Sequence, residues 1–316
     1  MEKLMSEIIE DYYKYEKYKL KPTTLLSHKY AINNHIIPFW KNKNIFDITI
    51  NDYLDWIQYI ENKGNSNAFN KRIISYFKSL YNYLSLQFDI RNIPKDVGHI
   101  ITKYDVRTES LQNIWTISEY KKFIKSVDDT IYHVLFNILF FTGIRKGEAL
   151  ALTFEDVDFK NNTITINKTI SKEHINGKRL IIPPKTKKSN RTIFLNKKII
   201  KKIHKLKKEY LNKYGYYNNK FFIFGGIKPI PCTTLDRKKN YYCDKAKVKR
   251  IRIHDFRHSH ATILHNYGVK PKVIQERLGH SSISTTLDTY VHLNTKKRNL
   301  SVMTIAQDFF MTFLVK

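Results

Sequence analysis

The sequence predicts an α+β protein, mainly α with a small antiparallel β-sheet, built as a small all-helical domain followed by a larger mixed one. Apolar residues recur at helical spacing through the first hundred residues. Three short runs with strand character then lie close together between Thr163 and Leu195, separated by turn-rich stretches. Between these regions, from Arg91 to Gln112, the periodicity lapses around Pro94 and Gly98 with mixed charges, as in an interdomain linker. A chain of 316 residues is long enough for two domains with sizeable cores. The expected limits are 1–100 for the helical domain, 101–112 for the linker and 113–316 for the second domain, with a tail from about 296.

In chain order, Pro22 opens a helix over Thr23–Ile37, because proline is favoured near a helix start. Tyr53, Ile57 and Ile60 repeat at helical spacing before Gly64, and Ile73, Ile74, Phe77, Leu80, Tyr81 and Leu84 do so again. The polar faces of this region carry Lys71, Arg72 and Lys78, which can touch phosphates. The second domain opens at Thr116-Ile117-Ser118-Glu119, a capping-box pattern, and a strongly apolar helix over Ile131–Phe141 supplies its core. Strands are predicted over Thr163–Ile166, Arg179–Ile182 and Arg191–Leu195, with turns at Asn176-Gly177 and Lys185–Asn190, which fits a three-stranded antiparallel meander. Helix then resumes over Lys197–Tyr214, with Ile199, Ile203, Leu206 and Tyr210 inward and seven lysines between 197 and 208 outward.

Lys and Arg total 56 against 28 acidic residues, a formal net charge of +28, which calls for solvation, a polyanionic partner or both. Nucleic acid leads the partner classes. Two cysteines, Cys232 and Cys243, make a disulfide framework implausible and cannot build a four-cysteine zinc site, which points to a reducing cytosol. The N-terminus lacks the apolar core of a signal peptide, and the longest apolar run, Val134–Phe141, is far short of a membrane span. A soluble cytoplasmic protein with no membrane partner is expected.

Four segments of the second domain carry chemistry. In Thr142-Gly143-Ile144-Arg145-Lys146-Gly147-Glu148 the apolar helix breaks at glycine and Arg145 starts the next element. Pro184-Lys185-Thr186-Lys187-Lys188-Ser189-Asn190-Arg191 is a basic loop between strands, able to bring one lysine against a phosphate or leaving oxygen. In Ile253-His254-Asp255-Phe256-Arg257-His258 an imidazole and a guanidinium three residues apart share a helical face. His254 and His258 also have the spacing of a helical zinc pair, but no Glu follows the first His and no third ligand is near in sequence. Leu278-Gly279-His280 leads to Tyr290, a phenol with an ordinary pKa near ~10 that needs a base and nearby positive charge to attack at neutral pH.

In order and approximate spacing these segments resemble the catalytic boxes of the tyrosine recombinase (phage integrase) family, over residues 113 to about 295. Each box is common alone, and their ordered coincidence is specific. The stretch from Lys21-Pro22-Thr23 to Pro94 is similar to that family's helical, SAM-like core-DNA-binding domain. The ten-residue step from His280 to Tyr290 and the Thr-Leu-Asp-Thr-Tyr ending resemble the branch found in integrases of Gram-positive phages and conjugative elements. Members of that branch commonly carry an arm-binding domain ahead of the core-binding domain. Here about twenty residues precede Pro22, so such a domain is either naturally absent or truncated.

The resemblance implies a site-specific recombinase in which Tyr290 attacks a DNA phosphodiester, forms a 3′-phosphotyrosyl link and releases a 5′-hydroxyl. It implies no cofactor and no metal, since Arg145 and Arg257 match the family's phosphate-gripping arginines. By the same resemblance Lys185 is the general acid, with Lys187 the fallback; His254 accepts the tyrosine proton; His280 binds the phosphate; and Glu148 orients its neighbours. Implied partners are double-stranded DNA and further copies of the chain, a tetramer in synapsis with the apolar segment 304–315 docking in trans, together with an accessory DNA-bending or excision factor at the bacterial nucleoid. The same chemistry would serve a type IB topoisomerase, and a DNA-binding regulator that has lost catalysis is the rival of another class. The full residue set argues against the latter.

Overall fold

A computed structural model of the chain describes residues 2–98, 113–175, 178–183 and 190–279, with backbone alone for 23, 172–175 and 178–180. Two compact units divide it, Met1–Ser110 and Leu111–Lys316.

The first unit is helical: α1 (Met5–Lys19), α2 (Pro22–Ala31), α3 (Ile37–Trp40), α4 (Ile50–Asn62), α5 (Asn67–Phe88) and α6 (Ile93–Asp96). The predicted Thr23–Ile37 helix is interrupted, because Ile32–Ile36 forms a π-turn between α2 and α3. Pro38 accounts for this, since it lacks the N–H that would close an ordinary turn there, and the widened turn lets Ile37 N–H reach the Ile32 carbonyl. Helix α4 starts in a capping box in which Thr49 and Asp52 each accept the other's backbone N–H. The predicted periodic residues do form the core, with Tyr53, Trp56 and Trp40 grouped around Phe77, ring centroids 4.4–5.6 Å from it. Helix α6 packs the buried Ile93 into this core. Lys78 is half-buried and its Nζ donates to the Gly98 carbonyl at 2.9 Å.

Among the described residues, the second unit contains α7 (Ile117–Ser126), α8 (Thr130–Thr142), α9 (Lys146–Ala151), five strands, α10 (Lys197–Tyr214), α11 (Cys232–Lys245), α12 (Ile253–Asn266) and α13 (Pro271–Leu278). Helix α8 is apolar all round and is therefore interior, packed by α10 on one side and α12 on another. Its start is capped by Asp129, whose carboxylate accepts from the Ile131 and Tyr132 N–H groups. Five of the α10 lysines are exposed, but Lys202 lies half-buried against His133 and Lys207 lies over the Tyr217 ring, so two of the seven do not simply face water.

The expected meander is replaced by two separate antiparallel sheets. Strands β1 (Val157–Asp158), β2 (Thr163–Ile166) and β5 (Arg191–Phe194) form one, in the order β1-β2-β5, with Ile164 opposite both Val157 and Ile193. Among the described residues, strands β3 (Thr169–Ile175) and β4 (Lys178–Ile182) pair only with each other. The second predicted strand thus belongs to a side hairpin, and the first and third are direct neighbours. That hairpin packs on α9 through Gly147, where a Cβ would stand 2.5 Å from Thr169 Oγ1 and 3.0 Å from the Ile170 carbonyl oxygen. No helix among the described residues is long and apolar enough to cross a membrane.

Candidate active site

Helix α8 ends at Gly143, whose φ of +64° suits glycine. Space demands glycine too, because a Cβ would stand 2.6 Å from Leu278 Cδ2 and 2.8 Å from a His260 ring carbon. The backbone therefore passes tightly between α12 and α13. On α12, Arg257 is 3% exposed and its Nη1 donates to the Gly143 carbonyl at 2.8 Å. One buried arginine so fixes the end of the core helix to the helix that also carries His254.

Two residues beyond Gly143, Arg145 is the N-cap of α9, with its side chain 40% exposed. Its Nη1 donates to Glu148 Oε1 at 2.8 Å and its Nη2 to the Gly279 carbonyl at 3.1 Å. Glu148 is buried, and its other oxygen, Oε2, accepts from the Arg145 backbone N–H (2.9 Å) and from Arg191 Nη2 (2.8 Å). Burial alone would raise the Glu148 pKa, but Arg191, then Arg145, outweigh it and hold the carboxyl below its usual range. Arg191 Nε donates to the Arg277 carbonyl at 2.9 Å. Arg277 in turn donates from Nε to His260 Nε2 and from Nη2 to the Phe141 carbonyl, both at 3.2 Å. Burial, with the charge of Arg191 adding to it, pulls the Arg277 pKa down to about 10. His260, fully enclosed, is held neutral by burial and by Arg277 and Arg257, which matches its role as acceptor at Nε2.

His254 stands on the first turn of α12, which is capped by Asp255 accepting the Arg252 N–H at 2.8 Å. Its pKa is lowered to about 4, by desolvation first and then by His258, Arg257 and Arg145, against an opposing pull from Asp255. Lost solvation and the positive neighbours Arg257 and Arg145 are separate causes. Both act toward a neutral imidazole at pH 7, the form able to accept a proton.

The structure therefore brings Arg145, Glu148, His254 and Arg257 together. Lys185, Lys187, His280, Tyr290 and the 304–315 segment lie outside the described residues. His254 and His258 meet as a T-shaped ring pair with centroids 4.9 Å apart, and among the described residues no group of three His, Cys, Asp or Glu side chains is placed to hold a metal ion. Sequence reasoning missed Arg191, Arg277 and His260 as parts of this cluster. Signals for them exist: Arg191 alternates with the buried Ile193 on one face of β5, while Arg277 and His260 follow the buried Ile274 and Arg257 by three residues on their helices.

With this geometry in hand, comparison with known proteins is decisive. Residues 106–297 match the phage integrase family, and residues 4–60 match its N-terminal SAM-like domain. The chain belongs to the phage integrase family. It is similar to the ICEBs1 integrase of Bacillus subtilis (strain 168), 31% identical over 286 residues that cover 88% of this chain and 76% of that one. In fold it is similar to the Tn1549 transposon integrase in complex with a circular intermediate DNA, with a TM-score of 0.67, 21% identity, and 95% of this chain and 98% of that one covered. A lambda integrase dimer bound to a COC′ core site also aligns, with a TM-score of 0.67, 15% identity, and 95% and 80% covered. The expected α+β fold and the expected tyrosine recombinase, resembling integrases of Gram-positive mobile elements, are both borne out. This integrase is a DNA strand-breaking and rejoining enzyme of that type.

Proposed function

We propose that this integrase recombines the DNA of a mobile element through a transient bond between Tyr290 and the 3′ phosphate of the cleaved strand. One observation carries the reading: Arg145 and Arg257, from different helices, both act electrostatically on His254 and favour its neutral form. Two guanidinium forks suit the non-bridging oxygens of a single phosphate and stabilise the charge that builds as the fifth oxygen approaches. His254 takes the phenol proton as the tyrosine oxygen attacks phosphorus. Lys185, or in its stead Lys187, gives a proton to the departing 5′-oxygen, and His280 donates to a non-bridging oxygen. The phosphotyrosyl bond keeps the energy of the broken phosphodiester, so the 5′-hydroxyl of a partner strand can attack it and release Tyr290.

The partner is double-stranded DNA, a reading supported by the net charge of +28 and by relatives captured on DNA. The SAM-like first unit holds the core site. We assign the working assembly to copies of this chain on DNA, four in synapsis, with segment 304–315 docking on a neighbour and an accessory DNA-bending or excision factor assisting in the bacterial cytoplasm at the nucleoid. Incubating the full chain with a randomised nicked duplex library, denaturing, and sequencing the covalently retained DNA tests the reading. A single retained motif joined through its 3′ phosphate is expected. Retention without sequence preference would point instead to topoisomerase-like relaxation.

A further inference from the structure

We propose that Arg191 is a positioning residue for strand cleavage, holding the Arg145 guanidinium in the orientation that receives the phosphate. The inference rests on the reading of Arg145 as a phosphate-binding arginine. Arg191 does not itself have a route to DNA, because its side chain is 8% exposed. What it touches is one support of Arg145 directly and the helix end that carries the other. Glu148, which takes Arg145 Nη1, also takes Arg191 Nη2 at 2.8 Å. Gly279, whose carbonyl takes Arg145 Nη2, ends the α13 segment whose Arg277 carbonyl takes Arg191 Nε at 2.9 Å. The two forks thus face the same carboxylate and the same helix end.

The division of the Glu148 oxygens gives this arrangement its consequence. A buried carboxylate with one arginine beside it draws that arginine into two parallel hydrogen bonds, the preferred fork-to-fork geometry. Here Oε2 is occupied by Arg191 and by the Arg145 backbone N–H, so the Arg145 side chain gives Glu148 a single bond, to Oε1. Its Nη2 stays on the Gly279 carbonyl, in a side chain that is 40% exposed. Without Arg191, Oε2 keeps only the Arg145 backbone N–H and can take a second donor, so Arg145 closes onto Glu148 and the fork turns away from the phosphate. Lysine cannot substitute fully, since a compact ammonium does not reproduce a planar fork that reaches a carboxylate with one nitrogen and a carbonyl with another. Arg191 also begins β5, directly after the basic segment 184–190, so the strand that follows the candidate lysines is tied to the site by the same side chain.

The test uses the full chain with a duplex site selected by affinity rather than by covalent trapping, made either with the ordinary scissile phosphodiester or with a neutral methylphosphonate in its place. The methylphosphonate lacks the charge for which Arg145 is oriented. Single-turnover formation of the covalent complex is measured for the parent chain, Arg191→Lys, Arg191→Met, Arg145→Ala and the core control Ile203→Val, with thermal melting to show which variants fold. Arg191→Lys should lose about 10- to 100-fold on the phosphodiester, as small misplacements of a catalytic group do. That loss should shrink to within about threefold on the methylphosphonate, in parallel with Arg145→Ala, since the charge that Arg145 answers is gone. Ile203→Val should change both substrates equally. Equal losses for folded Arg191→Lys on the two substrates, with Arg145→Ala still rescued, overturn the positioning role alone. Equal losses for Arg145→Ala overturn the phosphate-binding reading and the inference with it.

Discussion

Arg257 and Arg145 belong to one site but are held in opposite ways. Arg257 is buried on α12 and fastened to a backbone carbonyl at the end of the core helix, whereas Arg145 is 40% exposed and depends on a buried carboxylate shared with a second arginine. One is part of the hydrophobic scaffold and the other is set by a charge network. The contrast teaches that stability and chemistry are coupled at Arg257 and separable at Arg145.

The largest effect should come from the network that supports the second arginine. Glu148→Ala leaves Arg191 buried without its carboxylate, and breaking such a pair costs about 3–5 kcal/mol. Denaturant unfolding should show the loss in the second unit, and a change below 1 kcal/mol, on the order of a surface substitution, would deny the network its role. Next, Arg257→Ala and Arg145→Ala should each slow cleavage by about 10²–10³-fold, the usual cost of a lost transition-state donor. Only Arg257→Ala should also destabilise the fold, by about 1–3 kcal/mol, because it strands the buried Gly143 carbonyl. Equal stability losses in the two variants would erase the contrast.

Gly143→Ala sharpens it at the backbone. A Cβ at φ +64° facing Leu278 at 2.6 Å should cost about 1–3 kcal/mol and disturb the Arg257 anchor before the Arg145 anchor. The smallest effect concerns pH. His254 has a folded pKa near 4 against an ordinary 6.5, so the unfolded chain takes up the proton first as pH falls. The stability that this group lends to the neutral form is therefore complete above 6.5 and is lost between 6.5 and 4. Cleavage followed against pH should keep its neutral base through the same range, with an acid limb near 4. An acid limb at 6.5 would show an imidazole unperturbed by its surroundings.

Long, strongly periodic elements were legible in the sequence. Helix α8 declares itself because eleven consecutive positions offer almost no polar face, and α12 places His254 and Arg257 through spacing alone. Strand pairing was less legible. Strand β3, Thr-Ile-Ser-Lys-Glu-His-Ile, has too few apolar residues to stand out, and nothing local indicates that β2 passes over the hairpin to pair with β5. At the site, arginines that meet phosphate look the same in sequence as arginines that support other arginines. Arg191 and Arg277 lie on buried faces, but their bonds to Glu148 and to the Phe141 carbonyl join segments up to 136 residues apart. That is information of tertiary packing, not of periodicity.

The most direct measurement is peptide mapping of the covalent protein–DNA complex, with Tyr290→Phe run beside the parent chain. The phosphotyrosyl adduct should map to Tyr290, and Tyr290→Phe should bind DNA with nearly the parent affinity while forming no adduct. An adduct that persists in Tyr290→Phe, or that maps to another of the 21 tyrosines, would contradict the mechanism.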